Sequence, residues 1–143
     1  MSKRTREIAA AILLDTAGCM LLQRRDDKPG IIQPGKVGMF GGHREGAESF
    51  LDCVVREVHE EISCHISADR FRHLLTLNGV DPEIPGGRVR GEFFVAYDIQ
   101  TEALIVTEGE LLIVRPEAIS ELWRELTPVT ALMIDSFRNC SRE

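Results

Sequence analysis

The longest uninterrupted hydrophobic run is Ile8–Leu14, bounded by Glu7 and Asp15. A short apolar run closed by turn residues suits a buried strand. Asp15–Gly18 reads as a turn into Cys19–Gln23, the hairpin partner. Asp26–Lys36 holds Pro29, Gly30, Pro34 and Gly35, which is loop chemistry. Val37–Phe40 predicts a short strand, and Gly41, Gly42 and Gly46 predict a tight loop with exposed backbone. Ala47–Ile62 carries the clearest helical periodicity, with Ala47, Phe50, Leu51, Val54, Val55, Val58 and Ile62 forming one apolar stripe. Phe71–Leu77 and Val89–Tyr97 predict strands around the loop Asp81–Gly87. Leu111–Val114 predicts another strand. Pro116 suits the first turn of a helix reaching about Trp123, and Val129–Phe137 predicts a last helix after Pro128. Strands interleaved with helices indicate a layered α/β or α+β domain.

The length of 143 residues fits one domain over 1–143. Hydrophobic residues make up 43% and charged residues 28%, which excludes disordered and fibrous classes. Seventeen Lys and Arg against 23 Asp and Glu leave a net charge of −6. That balance disfavours bulk nucleic acid as a partner, since phosphate binding needs a basic surplus. A phosphorylated ligand would need local positive charge, and a metal held by carboxylates would supply it. Cys19, Cys53, Cys64 and Cys140 contain no C-x-x-C pair and read as free thiols in a reducing compartment. Lys3, Arg4 and Arg6 before Ile8–Leu14 imitate a signal peptide, but the following turn lacks a small-residue cleavage pattern. The expected location is cytoplasmic, with no membrane association.

The chemistry concentrates in Arg56-Glu57-Val58-His59-Glu60-Glu61. At about 100° per residue, Glu61 lies at roughly +40° and Glu60 at roughly −60° from Glu57. The three carboxylates thus share an arc of about 100°, and Glu57 and Glu61 border the apolar stripe. Like charges at i,i+4 cost a helix about 0.2–0.5 kcal/mol per pair. Arg56 offsets part of this, and a hard divalent cation with oxygen ligands would offset more. Gly41 and Gly42 could bring backbone close to a ligand or metal. Glu48, expected in the first helical turn, could reach Arg56 or a bound water.

Gly42-x5-Glu48-x7-Arg56-Glu57-Val58-x-Glu60-Glu61-x-Ser63-Cys64 resembles the Nudix box, G-x5-E-x7-R-E-U-x-E-E-x-G-U. Gly42, Glu48, Arg56, Glu57, Glu60 and Glu61 stand at matching spacing. Three positions depart: Ser63 stands for the last glycine, Cys64 for the last apolar residue, and Phe40 for a common proline before the double glycine. The resemblance covers nearly the whole chain. It implies an α/β/α sandwich with a mixed sheet. It also implies a MutT-like hydrolase that cleaves the diphosphate linkage of a nucleoside diphosphate-X compound and releases a nucleoside monophosphate. A nucleoside triphosphate and a nucleotide sugar both remain as substrates.

Carried over, Glu57, Glu60 and Glu61 would hold Mg2+, with Mn2+ as the alternative, and the Gly41 carbonyl would be a further ligand. Glu48 would be an accessory acid and Arg56 would orient a box glutamate. A glutamate in a later loop would serve as base or added ligand, with Glu108 preferred over Glu110. Of Arg24 and Arg25, Arg25 is the expected substrate contact. The partner is then a small nucleotide, and the chain is a monomer or homodimer. Rival motifs are incomplete. Gly30-x4-Gly35-Lys36 has Val37 where a P-loop has Ser or Thr, and His59-Glu60-x-x-Ser63 lacks the second histidine of a zinc protease. The remaining alternative is a catalytically silent Nudix-fold module for nucleotide sensing or protein interaction.

Overall fold

The computed structural model describes residues 5–141; Lys3 and Arg4 lie outside them. Strand β1 (Thr5–Asp15) runs through the middle of a mixed sheet. It pairs antiparallel with β2 (Met20–Arg24) and parallel, over nearly its whole length, with β6 (Arg88–Ile99). The edge strand β5 (Arg72–Val80) is antiparallel to β6, and β7 (Glu110–Val114) is antiparallel to β2. The sheet path is β3 (Val37–Gly38), β2, β1, β6, β5.

Ile8–Leu14 is continuously apolar because both sheet faces are covered. Ile8, Ala10, Ile12 and Leu14 enter one core with Met133 and Ile134, while Ala9, Ala11 and Leu13 enter another with Val54, Val58 and Ile62. Helix α1 (Phe50–Ile62) covers the second face. The first is covered by α3 (Pro128–Ser141) and a short α2 (Ile119–Leu122) flanked by single 3-10 turns. The architecture is the α/β/α sandwich with a mixed sheet.

The region 37–48 differs from its sequence reading in three ways. Val37–Phe40 is not one strand: β3 (Val37–Gly38) pairs β2, and β4 (Phe40–His43) crosses to β1. β2 is shorter than β1, so half of that edge of β1 stays free for β4. Gly41 and Gly42 therefore lie in a strand, paired with Ala10 and Ala9, rather than in a loop. Third, the helix begins at Phe50, not Ala47. Ser49 caps it, its side chain accepting from the Asp52 N–H at 3.0 Å. Glu48 thus precedes the helix, and Ala47 is exposed rather than part of the stripe. The last helix starts one residue early, with Pro128 in its first turn, and runs on past Phe137.

Burial outweighs charge repulsion in α1. Val54, Val58 and Ile62 are fully buried, each contributing about 1.5–3 kcal/mol. The i,i+4 repulsion is several times smaller. Ser63 ends the helix in the left-handed conformation (φ 55°, ψ 34°), its N–H bonding the His59 carbonyl at 3.0 Å. A serine there carries a Cβ penalty of about 1–2 kcal/mol that glycine avoids. Ser63→Gly should therefore stabilise the protein by about 1 kcal/mol and raise Tm by about 2–4 °C in thermal denaturation. An unchanged or lower Tm would contradict the strain.

Candidate active site

Arg56 lies at the centre of the acidic cluster. Its Nε and Nη2 donate to the Glu48 carboxylate at 3.1 and 2.7 Å, and its Nη1 donates to Glu57 Oε1 at 3.0 Å. Nη1 also reaches Glu60 at 3.3 Å, and Nη2 donates to the His43 carbonyl at 3.1 Å. Glu48 accepts from the Glu45 N–H as well, at 2.9 Å. The Arg56 hydrogen bond, then the Glu45 N–H, hold its carboxyl well down, at about 2. The seven-residue gap between Glu48 and Arg56 thus lets the segment before the helix fold back along its second turn.

Two carboxylates turn towards the sheet instead. A Cβ on Gly42 would fall 2.4 Å from Glu57 Cδ, so Glu57 rests directly on that glycine. Burial raises the Glu57 carboxyl, with Arg56 opposing. Glu61 is 7% exposed, and its Oε1 accepts the Gly41 N–H at 2.8 Å. A Cβ on Gly41 would lie 2.3 Å from the Ala9 carbonyl oxygen. Both glycines are therefore required by close approach. Burial pushes the Glu61 carboxyl up to about 8 against the Gly41 hydrogen bond. The charges of Glu57 and Glu108 push the same way, and Arg25 opposes them.

A cavity of about 270 Å3 opens beside Glu61, lined by Gln23, Arg25, His43, Glu108 and Gly109. Ile32 and His43 also border two neighbouring cavities of about 510 and 150 Å3. Arg25 presents a buried Nε with no hydrogen-bond partner. Arg24 points elsewhere, paired with Glu125 at 2.9 Å and the Gly35 carbonyl at 3.2 Å. Burial, then the charges of Arg6 and Arg25, lower the pKa of His43.

Of the residues singled out in the sequence, Glu61, Glu108 and Arg25 meet at this cavity, with Gly41 and Glu57 directly behind Glu61. Glu60 does not join them: its side chain is 58% exposed and paired with Arg56. Glu110 is exposed at the start of β7, opposite Arg24. Among the described residues, no three His, Cys, Asp or Glu side chains converge on a common point able to hold a metal. The expected gathering of all three box glutamates is therefore not preformed, because the Arg56 guanidinium already neutralises one side of the cluster. Glu61 is left uncompensated. Oxygen donors at Glu57, Glu61 and Glu108 suit a hard divalent cation, which would relieve the repulsion that raises Glu61. The sequence reading missed Gln23 and Ile32. For Gln23 the available signal was a polar side chain inside an apolar strand; for Ile32, inside a loop, there was none. Lys36 of the incomplete P-loop donates to the Arg124 carbonyl at 3.3 Å.

A family model described as the NUDIX domain matches residues 4–142. No curated protein sequence matches the chain. Among solved structures, a MutT protein from Methanosarcina mazei aligns with TM-score 0.82 at 21% identity, covering 100% of this chain and 99% of that one. A MutT NUDIX hydrolase from Burkholderia pseudomallei aligns with TM-score 0.71 at 19% identity, covering 94% and 98%. A bifunctional NMN adenylyltransferase/ADP ribose pyrophosphatase from Francisella tularensis, complexed with AMP and a manganese ion, aligns with TM-score 0.73 at 13% identity, covering 97% and 43%.

Two outcomes follow from the geometry. Gly42→Ala puts a methyl group where the Glu57 carboxylate rests, and because that flexible side-chain end can swing aside, it should lower stability by only about 1 kcal/mol in chemical denaturation. An unchanged midpoint would show that the contact relaxes freely. Glu61 bears on pH dependence. Its folded pKa lies above the ordinary carboxylate value, so the folded state holds the extra proton and stability falls as pH rises from about 4.5 to about 8. In chelator at pH 8, Glu61→Gln should therefore melt roughly 5 °C above the parent, the gain disappearing towards pH 4.5. A pH-independent difference would refute this.

Proposed function

Because the chain belongs to the NUDIX family, we propose that it is a divalent-metal-dependent pyrophosphohydrolase acting on a nucleoside diphosphate-X compound. A nucleoside triphosphate or a nucleotide sugar fits this description, and the product is a nucleoside monophosphate. The observation that carries the reading is Glu61: a buried carboxylate, raised by burial, at the wall of a cavity that Glu108 and Arg25 also line. An acidic centre beside a fixed guanidinium suits a cation and a phosphate arriving together.

In this reading Glu57, Glu60, Glu61 and the Gly41 carbonyl hold Mg2+ or Mn2+. Glu60 reaches the site by leaving Arg56, which its exposure permits. The chemistry that such an ion supplies is neutralisation of phosphate oxygens and acidification of the attacking water. Arg25, a cation lining the cavity, binds a phosphate oxygen. Glu108, which lines the same cavity as Arg25, takes the proton of the water as general base and adds its charge to the cation site. Arg56 and Glu48 hold Glu57 in place, and the Gly41 N–H does so for Glu61. The apolar rim at Ile31 and Ile32 and the exposed His43 border the space for the rest of the nucleotide.

The test is a panel of nucleoside triphosphates and nucleotide sugars with Mg2+ or Mn2+, read by product chromatography. A nucleoside monophosphate should appear only with metal present. Glu61→Gln should lower kcat by at least about a hundredfold, and Arg25→Ala should raise KM by about tenfold. Turnover retained in Glu61→Gln would remove the metal-site reading. Nucleotide binding without any turnover would assign a sensing or interaction role instead.

A further inference from the structure

Gln23 stands where the strand pattern calls for an apolar side chain. It follows Leu21 by two residues on the same face of β2, the face towards α1. It is 6% exposed. A polar group buried at such a position needs a partner, and Gln23 Nε2 donates to the Glu108 carbonyl at 2.7 Å.

The segment around Glu108 is held at its other end by α1. The Ile105 N–H donates to the Ile62 carbonyl at 3.1 Å and the Thr107 N–H to the Glu61 carbonyl at 3.0 Å. Thr107 Oγ1 donates to the Glu60 carbonyl at 3.1 Å. These are last-turn carbonyls that a helix cannot satisfy by itself. Gly109 then turns with φ +67°, and a Cβ there would sit 2.4 Å from the Arg24 carbonyl oxygen. The segment is thus fixed between the turn carrying Glu60 and Glu61 and the end of β2 leading into Arg25.

We propose that Gln23 is a positioning residue: its amide latches the Glu108 carbonyl and thereby sets the Glu108 carboxylate against Glu61 across the cavity. The proposal rests on the reading of Glu108 as part of the catalytic centre. It requires only the carbonyl latch and no titration of any group.

The test uses the full-length, nucleotide-free protein. Gln23→Met keeps the volume and removes the donor. Deuterium exchange at amides 105–110 should speed by about tenfold while α1 amides keep their protection. Calorimetric titration with Mn2+ should show affinity lowered about fivefold by Gln23→Met and by Glu108→Gln. The double variant should lie within about twofold of Glu108→Gln, since one effect acts through the other. Thr107→Val should act in the same direction, and it answers the question if Gln23→Met fails to fold. Unchanged exchange, or an equal further loss of Mn2+ affinity in the Glu108→Gln background, would overturn the proposal. Wild-type Mn2+ affinity in Glu108→Gln would show that Glu108 does not bear on the cation site, a failure of that reading of Glu108 distinct from a failure of the latch, and the positioning role would fall with it.

Discussion

The contacts of β4 with its neighbours, β1 at Gly41 and the Glu57 side chain of α1 at Gly42, leave no room for a single added carbon. A Cβ on Gly41 would meet the backbone of β1, and one on Gly42 would meet the Glu57 carboxylate. Because these two glycines lie in a paired strand, the sheet delivers their backbone rigidly to the helix. Ala9 and Ala11 of β1, small side chains on the same face, keep the helix close to the sheet. The positions of Glu57 and Glu61 follow from this approach. A larger side chain at Gly41 would part β4 from β1, and one at Gly42 would displace the Glu57 carboxylate.

The same closeness divides the acidic charge into two populations. On the outer side, Arg56 binds Glu48, Glu57 and Glu60 with one guanidinium, and these charges largely satisfy one another. On the inner side, Glu61 has a backbone N–H as its hydrogen-bond donor, and burial and its acidic neighbours work against ionisation. In a protein of net charge −6, positive potential at the cavity comes from Arg25 and from whatever cation the acids recruit. That local asymmetry reconciles an acidic chain with a phosphorylated ligand.

Much of the frame is legible from pattern. Ile8–Leu14 reads as a strand because its apolar run is short and bounded, and the helix ends at Ile62 where its stripe ends. The region 37–48 is misread because glycine carries no hydrophobic signal. Whether a Gly-Gly pair turns or pairs depends on a free edge of β1 that no local window contains. The start of α1 shifts for a related reason: Ala47 fits the periodicity, but the Ser49 cap prevails. Rotation per residue puts Glu57, Glu60 and Glu61 within one arc of the helix. It does not reveal that Arg56 draws Glu60 outward, since a side chain's direction depends on its partners.

By itself the amino-acid sequence determined the continuous apolar run that buries β1 on both faces, the stripe that docks α1, and the spacing that carries the resemblance to the NUDIX family. These are local periodicities, set by backbone geometry over one or two turns. Tertiary structure alone decided which acids face a cavity, that Arg25 rather than Arg24 lines it, and that Gln23 meets the Glu108 carbonyl. Each of those contacts joins segments far apart along the chain. Their meeting is fixed by sheet order and register, and residue spacing along the chain carries no trace of either.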